Sequence, residues 1–338
     1  MKKELSIILV NWNTRDLLKE CLKSLYKTVK NVSFEVYVAD NASTDGSVDM
    51  TREDFPEVRL IENEENIGFG RANNRVLRDI ETPYVFLLNT DTILLDGSVE
   101  GMLSFLKANP GVAIVSPQYL NADGTKQNSF TNLPSLATEL LNKSLLKMLF
   151  PRSYPSKRQD YSEPLEVESV VGAAMMLRQE VFRRVGFFDE DYFLYLDESD
   201  LCFRLRKAGW KCYFLPRLEI YHLGGGGTKK KARGDSTIEY YRSLYKFFRK
   251  NRGGPAYWAL RVLKPSKLLV NLIFSAMATV ATLFLHEGLR GRFLTYLKVM
   301  EWHLRGCPED MGILGRVRRE QRGGAKSALG GWALKEGR

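Results

Sequence analysis

The first 120 residues alternate between two kinds of block. Short, mostly apolar runs with β-branched residues, Leu5–Val10 (LSIILV), Phe34–Ala39 (FEVYVA) and Val58–Glu62, are each followed by a polar loop and then a stretch that opens a helix. After the first run, Leu17, Leu18, Cys21, Leu22 and Leu25 recur at helical spacing. A fourth run begins after Pro83 in Tyr84–Leu95 (YVFLLNTDTILL) and breaks off at Asn89-Thr90-Asp91. Its length and composition predict a strand buried on both faces, with Asp91 at the carboxyl end. Strands alternating with helices at this pitch predict an α/β fold with a parallel sheet of right-handed βαβ units, so the polar loops gather along one edge.

Three of these strand ends carry Asn11, Asp40 and Asp91. In open α/β sheets ligands bind outside the carboxyl ends of the strands, and a carboxylate there can accept from a base or ribose or hold a cation against phosphate. Asp91 as a cap of the next helix is the plainer reading, and Thr14 or Asn13 is expected to cap the first helix. Gly68 and Gly70 form a GxG after the third strand. No G-x-G-x-x-G follows the first strand, so a dehydrogenase is set aside.

After Asp91 a helix over Val99–Leu106 and a strand over Val112–Val115 are expected. Residues 119–164, rich in Pro, Ser, Asn and Lys, read as a mobile insertion with an amphipathic piece at Leu136–Leu149. Beyond it, small residues at Gly172 and Ala173 precede a strand, where they serve either packing or close approach of a ligand. Asp197, Glu198 and Asp200 crowd the first turn of a helix whose apolar face is Leu201, Leu205 and Ala208. Acidic residues suit a helix N-terminus, and three together can leave one carboxylate with a raised pKa, suited to general-base work. His222 precedes four glycines, Gly224–Gly227, whose backbone N–H groups can wrap an anion, with Lys229–Arg233 next to them.

SIILVNWN, ADNASTDGS, ENIGFGRANN and LLNTDT, followed by GAAMMLR, GFFDEDYFLY and LDESDLCFR, resemble the inverting family 2 glycosyltransferases of GT-A fold over about residues 4–228. Asn89, two residues before Asp91, is similar to the spelling of the rhamnosyltransferase-like branch. The resemblance implies a GT-A domain over 1–235, with a donor half (1–118) and an acceptor half (165–235). It implies donor-nucleotide contacts from Val10, Asn11, Asn13, Asp40, Asn66, Gly68, Arg71, Asn89 and Thr90. Asp91 and His222 would hold Mg²⁺ or Mn²⁺. Glu198 matches the family's catalytic base, and the order Asp197-Glu198 in place of Glu-Asp keeps Asp197 a candidate. Gly172, Ala173, Asp200, Gly225 and Lys229 are expected at the acceptor and diphosphate. The implied activity is hexose transfer, rhamnose from dTDP-rhamnose foremost, to a lipid-linked or saccharide acceptor. A UDP-hexose donor and a non-catalytic membrane scaffold stay open as alternatives, while a nucleotidyltransferase would require a glycine- and lysine-rich phosphate loop that LVNWNTR is not.

The last third is helical in pattern. Ile238, Tyr241, Leu244, Tyr245 and Phe248 make one face and Arg242, Lys246, Arg249 and Lys250 another. Leu268–Leu285 has 18 residues without charge, the lower limit for a span, but Asn271, Ser275, Thr279 and Thr282 fall near one face. A membrane-associating region over 236–305, lying in the interface or forming a hairpin with Leu289–Leu304, is therefore expected, followed by a flexible basic tail over 306–338. The chain has 338 residues, 44% of them hydrophobic, and a formal net charge of +10. That charge flanks apolar helix faces, which favours an anionic membrane surface over nucleic acid. Four scattered cysteines and a start without a signal-peptide pattern place it at the cytoplasmic face, peripheral or monotopic. The sequence leaves a homo-oligomer open.

Overall fold

The computed structural model describes residues 3–151, 153–155, 160–224 and 233–321. They fall into two compact units, Met1–Gly227 and Thr228–Arg338.

In the first unit, β1 (Leu5–Asn11), α1 (Arg15–Thr28), β2 (Phe34–Asp40), α2 (Ser47–Asp54), β3 (Arg59–Glu62), α3 (Phe69–Leu77) and β4 (Tyr84–Asn89) follow the expected alternation. β5 (Thr92–Leu94), α4 (Ser98–Ala108), β6 (Val112–Leu120) and β7 (Phe130–Thr131) come next. Then follow α5 (Leu136–Leu140), α6 (Lys143–Leu149), β8 (Leu165–Val167), β9 (Ser169–Val170) and β10 (Ala174–Arg178). The unit closes with α7 (Val181–Val185), α8 (Asp197–Lys207) and β11 (Lys211–His222).

The main sheet has nine strands among the described residues, in the order β3-β2-β1-β4-β10-β6-β11-β5, with β8 also on β11. β1, β2, β3, β4, β6 and β11 run in one direction, while β10, β5 and β8 oppose them. The sheet is thus mostly parallel, as expected. Its core is made where β-branched and leucine side chains of β1 and β2 meet Leu18, Leu22 and Leu25 of α1 and Met102, Leu103 and Leu106 of α4. Burial of such side chains contributes on the order of 1.5–3 kcal/mol each.

Several expected boundaries move. The apolar run from Tyr84 is two strands, because the chain turns at Thr90-Asp91 and Ile93 and Leu94 pair antiparallel with the end of β11. β11 is 12 residues long, which puts His222 at a strand end opposite Thr92. The first helix is not capped by Thr14 or Asn13: the Arg15 N–H donates to Asp45 Oδ2 at 2.8 Å, and Thr14 Oγ1 donates to Asn11 Oδ1 at 2.6 Å.

The second unit contains α9 (Arg233–Asn251), α10 (Gly254–Ala281) and α11 (Glu287–Leu304). Among the described residues no helix is long and apolar enough to cross a membrane. α10 and α11 form the hairpin. The tail is ordered further than expected: residues 312–321 are helical, with Ile313 and Val317 buried. The cause is polar. The buried Arg242 guanidinium, ion-paired to Glu239, donates to the carbonyls of Pro308 and Met311, and Glu239 Oε2 accepts from the Leu314 N–H.

Candidate active site

The parallel strands β1, β2 and β4 end in register, with Asn11 beside Asp40 and Val10 between Ala39 and Asn89. Asn11 Nδ2 donates to Asp40 Oδ1 at 2.7 Å and to Ser43 Oγ at 3.0 Å. The other carboxylate oxygen of Asp40 accepts from the Ser43 N–H at 2.8 Å. Asp40 is only 2% exposed, so its first task is to shape the 41–46 loop. Asn13, held at φ 53°, closes the same loop by accepting from the Thr44 N–H at 2.8 Å. Thr90 joins through its hydroxyl, 2.8 Å from Thr14 Oγ1.

The ENIGFGRANN segment serves the junction of the two halves. Gly68 stands at φ +87°, and a Cβ there would lie 2.5 Å from the Phe193 carbonyl oxygen. Asn66 Oδ1 accepts from the Gly68 N–H at 3.0 Å. Asn74 exchanges hydrogen bonds with the Phe188 backbone at 2.8 and 3.0 Å. Arg71 lies 3.4 Å from Glu190 and Arg78 pairs with the same carboxylate. That clasp of Asn74, Arg78 and Glu190 was not anticipated, because nothing local in the sequence links positions more than 100 residues apart.

Asp91 and His222 are brought together. Asp91 Oδ1 lies 3.4 Å from His222 Nε2, and both side chains are less than one-fifth exposed. Gln127 holds the other side of the ring: its amide donates to the His222 carbonyl at 2.6 Å, and its Oε1 lies 3.0 Å from Nδ1. Gln127 sits in what reads as an insertion, where no sequence signal marks it. Because the amide oxygen only accepts, Nδ1 donates to it, and Nε2 is the ring nitrogen turned toward the carboxylate. An imidazole nitrogen and a carboxylate oxygen facing each other are ligand types that suit a divalent cation. Among the described residues no group of three or more His, Cys, Asp or Glu converges, so remaining ligands would come from diphosphate and water.

Asp197 and Glu198 open α8, Asp197 buried and Glu198 partly buried, with their carboxyl groups within hydrogen-bond reach of each other. Burial, and then the adjacent Asp197 charge, holds Glu198 well above the ordinary carboxylate range. Burial also raises Asp197, whose Oδ2 has no hydrogen-bond partner among the described residues. Gly172 leaves room beside this pair, since a Cβ there would stand 3.6 Å from the Glu198 side chain. The Ala173 carbonyl accepts from the Asn89 N–H at 2.8 Å. Asp200 pairs with Arg204 at 2.8 Å, and Arg204 in turn donates to the carbonyls of Val185 and Phe187. Gly225 and Lys229 lie outside the described residues.

Tyr119 links the two clusters. Its ring centroid is 5.7 Å from that of His222, while its hydroxyl lies 2.7–2.9 Å from Ser116 Oγ, the Val171 and Ala174 carbonyls and the Ala174 N–H. Tyr119 thus meets the His222 ring and also holds the backbone on both sides of Gly172, which lies beside Glu198.

The sequence profile of glycosyl transferase family 2 matches residues 6–186. An N-acetylglucosaminyl-diphospho-decaprenol L-rhamnosyltransferase of Mycobacterium tuberculosis is 30% identical over 281 residues, which is 77% of this chain and 90% of that protein. The Escherichia coli rhamnosyltransferase WbbL is 26% identical over 46% of this chain and 60% of its own. In fold the chain is similar to a mannosyltransferase of Pyrobaculum calidifontis solved with GDP-Man and Mn²⁺, with a TM-score of 0.54 at 18% identity over 90% of this chain and 87% of that one.

Proposed function

Because the chain belongs to glycosyl transferase family 2, we propose that it moves rhamnose from dTDP-rhamnose to a lipid-linked saccharide at a membrane surface. The observation that carries this reading is the division of labour between the two clusters. Asp91, 3.4 Å from His222, would serve the donor diphosphate, and the Glu198–Asp197 pair, with Glu198 raised above the ordinary carboxylate range by burial, would serve an acceptor hydroxyl. The sugar and the lipid-linked acceptor come from the mycobacterial and Escherichia coli relatives.

In this mechanism Asn11, Asn13, Asp40 and Thr90 shape the strand-end loops that receive the nucleotide. Asp91 and His222 would hold Mg²⁺ or Mn²⁺, which supplies charge neutralisation at the leaving diphosphate. Glu198, its pKa raised by burial, removes the proton from the acceptor hydroxyl as that oxygen attacks the anomeric carbon. The C1–O bond to the diphosphate breaks from the opposite face, and configuration inverts. Asp197 keeps the proton affinity of Glu198 high, and Gly172 leaves the attacking hydroxyl a place to stand.

Membrane attachment is assigned to the second unit on the burial pattern of α10. The polar stripe is turned inward, with Thr279 1% exposed and Ser275 buried, while Val270, Ile273, Phe274, Met277 and Val280 face out. A helix with apolar residues outside and polar residues inside matches lipid rather than water as its surroundings. Lys264, Lys267, Arg290 and Arg292 flank the apolar segment, each adding about 1 kcal/mol near anionic lipid.

The test is thermal stabilisation by a panel of nucleotide sugars with Mg²⁺, with Mn²⁺ and with EDTA. A ligand bound only by the native state raises Tm, by about 2.7 kcal/mol of stability at a hundredfold excess over Kd. Metal-dependent stabilisation by dTDP-rhamnose is expected, a UDP-sugar in its place would overturn the donor, and no response to any nucleotide would overturn the enzyme reading.

A further inference from the structure

Between β7 and β8 the catalytic unit carries α6, a helix of seven residues. Leu146 is buried and anchors it, and Asn132 Nδ2, next to β7, donates to the Ser153 carbonyl beyond it at 2.9 Å. The opposite face is apolar: Leu145, Met148 and Leu149, at spacings of three and four, are exposed, Met148 to 70%, and Phe150 extends the patch. Residues 140–159 contain five basic side chains, Lys143, Lys147, Arg152, Lys157 and Arg158, and no acidic one. Water gives no reason for such a stripe to face outward.

We propose that α6 is a membrane contact of the catalytic unit itself, seating Leu145, Met148 and Leu149 among the acyl chains of an anionic lipid surface. The charge pattern chooses this occupant, because apolar residues interleaved with cations are the composition that binds acidic headgroups above a shallow apolar insertion. A second copy of the chain is a poorer fit. Two turns of helix, about 10 Å long, fall far short of the ~800 Å² per partner that a stable dimer uses.

The placement gives the contact a purpose. α6 hangs from β7, which pairs with β9 (Phe130 opposite Val170), and the Ser169 hydroxyl of β9 lies 3.3 Å from that of Ser199 in the first turn of α8. β9 leads directly to Gly172 beside Glu198. A lipid surface touching α6 is thereby tied, through one short ribbon, to the base that must meet a lipid-borne hydroxyl. This rests on the lipid-linked acceptor reading above.

The test uses the full chain with Cys307→Ser and Met148→Cys carrying an environment-sensitive fluorophore, the remaining cysteines Cys21, Cys202 and Cys212 being buried. Vesicles of phosphatidylglycerol and phosphatidylcholine without acceptor are added. A blue shift, quenching by lipids labelled near the headgroup end of the acyl chain, loss of both in Leu145→Asp/Leu149→Asp, and a silent probe at exposed Glu65→Cys are expected. A probe at 148 that stays silent while the protein sediments with the vesicles overturns the proposal. So does a shift that depends on protein concentration without lipid. Because these vesicles hold no acceptor, insertion is read independently of transfer; a parallel transfer assay with lipid-linked saccharides that gives no product while the probe still inserts would refute the acceptor reading and leave the contact standing.

Discussion

Gln127 grips His222 at two points, donating to its carbonyl at 2.6 Å and presenting Oε1 to Nδ1 at 3.0 Å. The orientation of this amide is settled by its own bonds, since only the NH₂ end can serve a carbonyl. The ring is therefore fixed with Nε2 toward Asp91. Gln127→Ala frees the ring and should lower activity by about 10–100-fold, the usual cost of removing a partner that orients a ligating histidine. It should also raise the Mn²⁺ concentration needed to stabilise the nucleotide-bound protein. Unchanged metal dependence would show that the ring needs no holder.

The carboxyl pair makes a prediction about pH. Glu198 acts as a base only when ionised, and its pKa is raised by burial and by Asp197. The acid limb of kcat/KM should therefore fall well above the ~4.3 of an ordinary glutamate and belong to the pair rather than to one residue. Glu198→Gln should abolish transfer while nucleotide-sugar stabilisation persists. If Asp197→Asn abolishes transfer and Glu198→Gln does not, the roles are reversed.

The same shift has a consequence for stability with a definite sign. A raised folded-state pKa favours the protonated form in the fold. Its contribution is full below the unfolded value of ~4.3 and is lost as pH rises through the raised folded value. At neutral pH the raised pKa therefore costs the fold stability, and Glu198→Gln should raise Tm by a few degrees at pH 7 while changing it little at pH 4. Calorimetry at both pH values decides it.

Gly68 tests the seam between the donor and acceptor halves. Its φ of +87° and the 2.5 Å approach to a backbone oxygen leave no flexible atom to yield. Gly68→Ala should cost about 2–4 kcal/mol of stability, whereas Gly172→Ala, at 3.6 Å from Glu198, should cost little. Denaturant midpoints at equal slope would measure both.

The parallel strands and their polar ends were legible because burial on both faces writes a mostly apolar run, and ligand-facing loops write Asn and Asp after it. Asp91 was singled out for that reason and His222 for the glycines that follow it, and the structure sets the two 3.4 Å apart. Gln127 and the clasp of Arg71, Arg78 and Asn74 on Glu190 were not, because their partners are distant in the chain and each residue alone looks like a solvated polar position. The ordered segment after Gly306 was missed for a related cause. Glycines and arginines there suggest a loose tail, while the tether is Arg242, more than 60 residues earlier. The polar stripe of α10 was visible in sequence, but only packing shows which way it faces.

That direction yields a further prediction. Removing α10 and α11 whole would uncover Tyr245 and Phe248, which are buried in the unit, so loss of membrane binding after truncation would be ambiguous. Charges on the outer face avoid this. Val270, Phe274 and Met277 are each more than half exposed, so replacing all three by Glu should change stability by no more than about 0.5 kcal/mol per site. If the outward face meets lipid, the triple variant should lose most of its sedimentation with anionic vesicles while its response to nucleotide sugar is kept. If the face instead packs on a second copy, the variant should remain with the vesicles and change its mass in solution. Thr279→Val, placed in the buried stripe, should leave vesicle binding intact, because that stripe is turned away from the lipid.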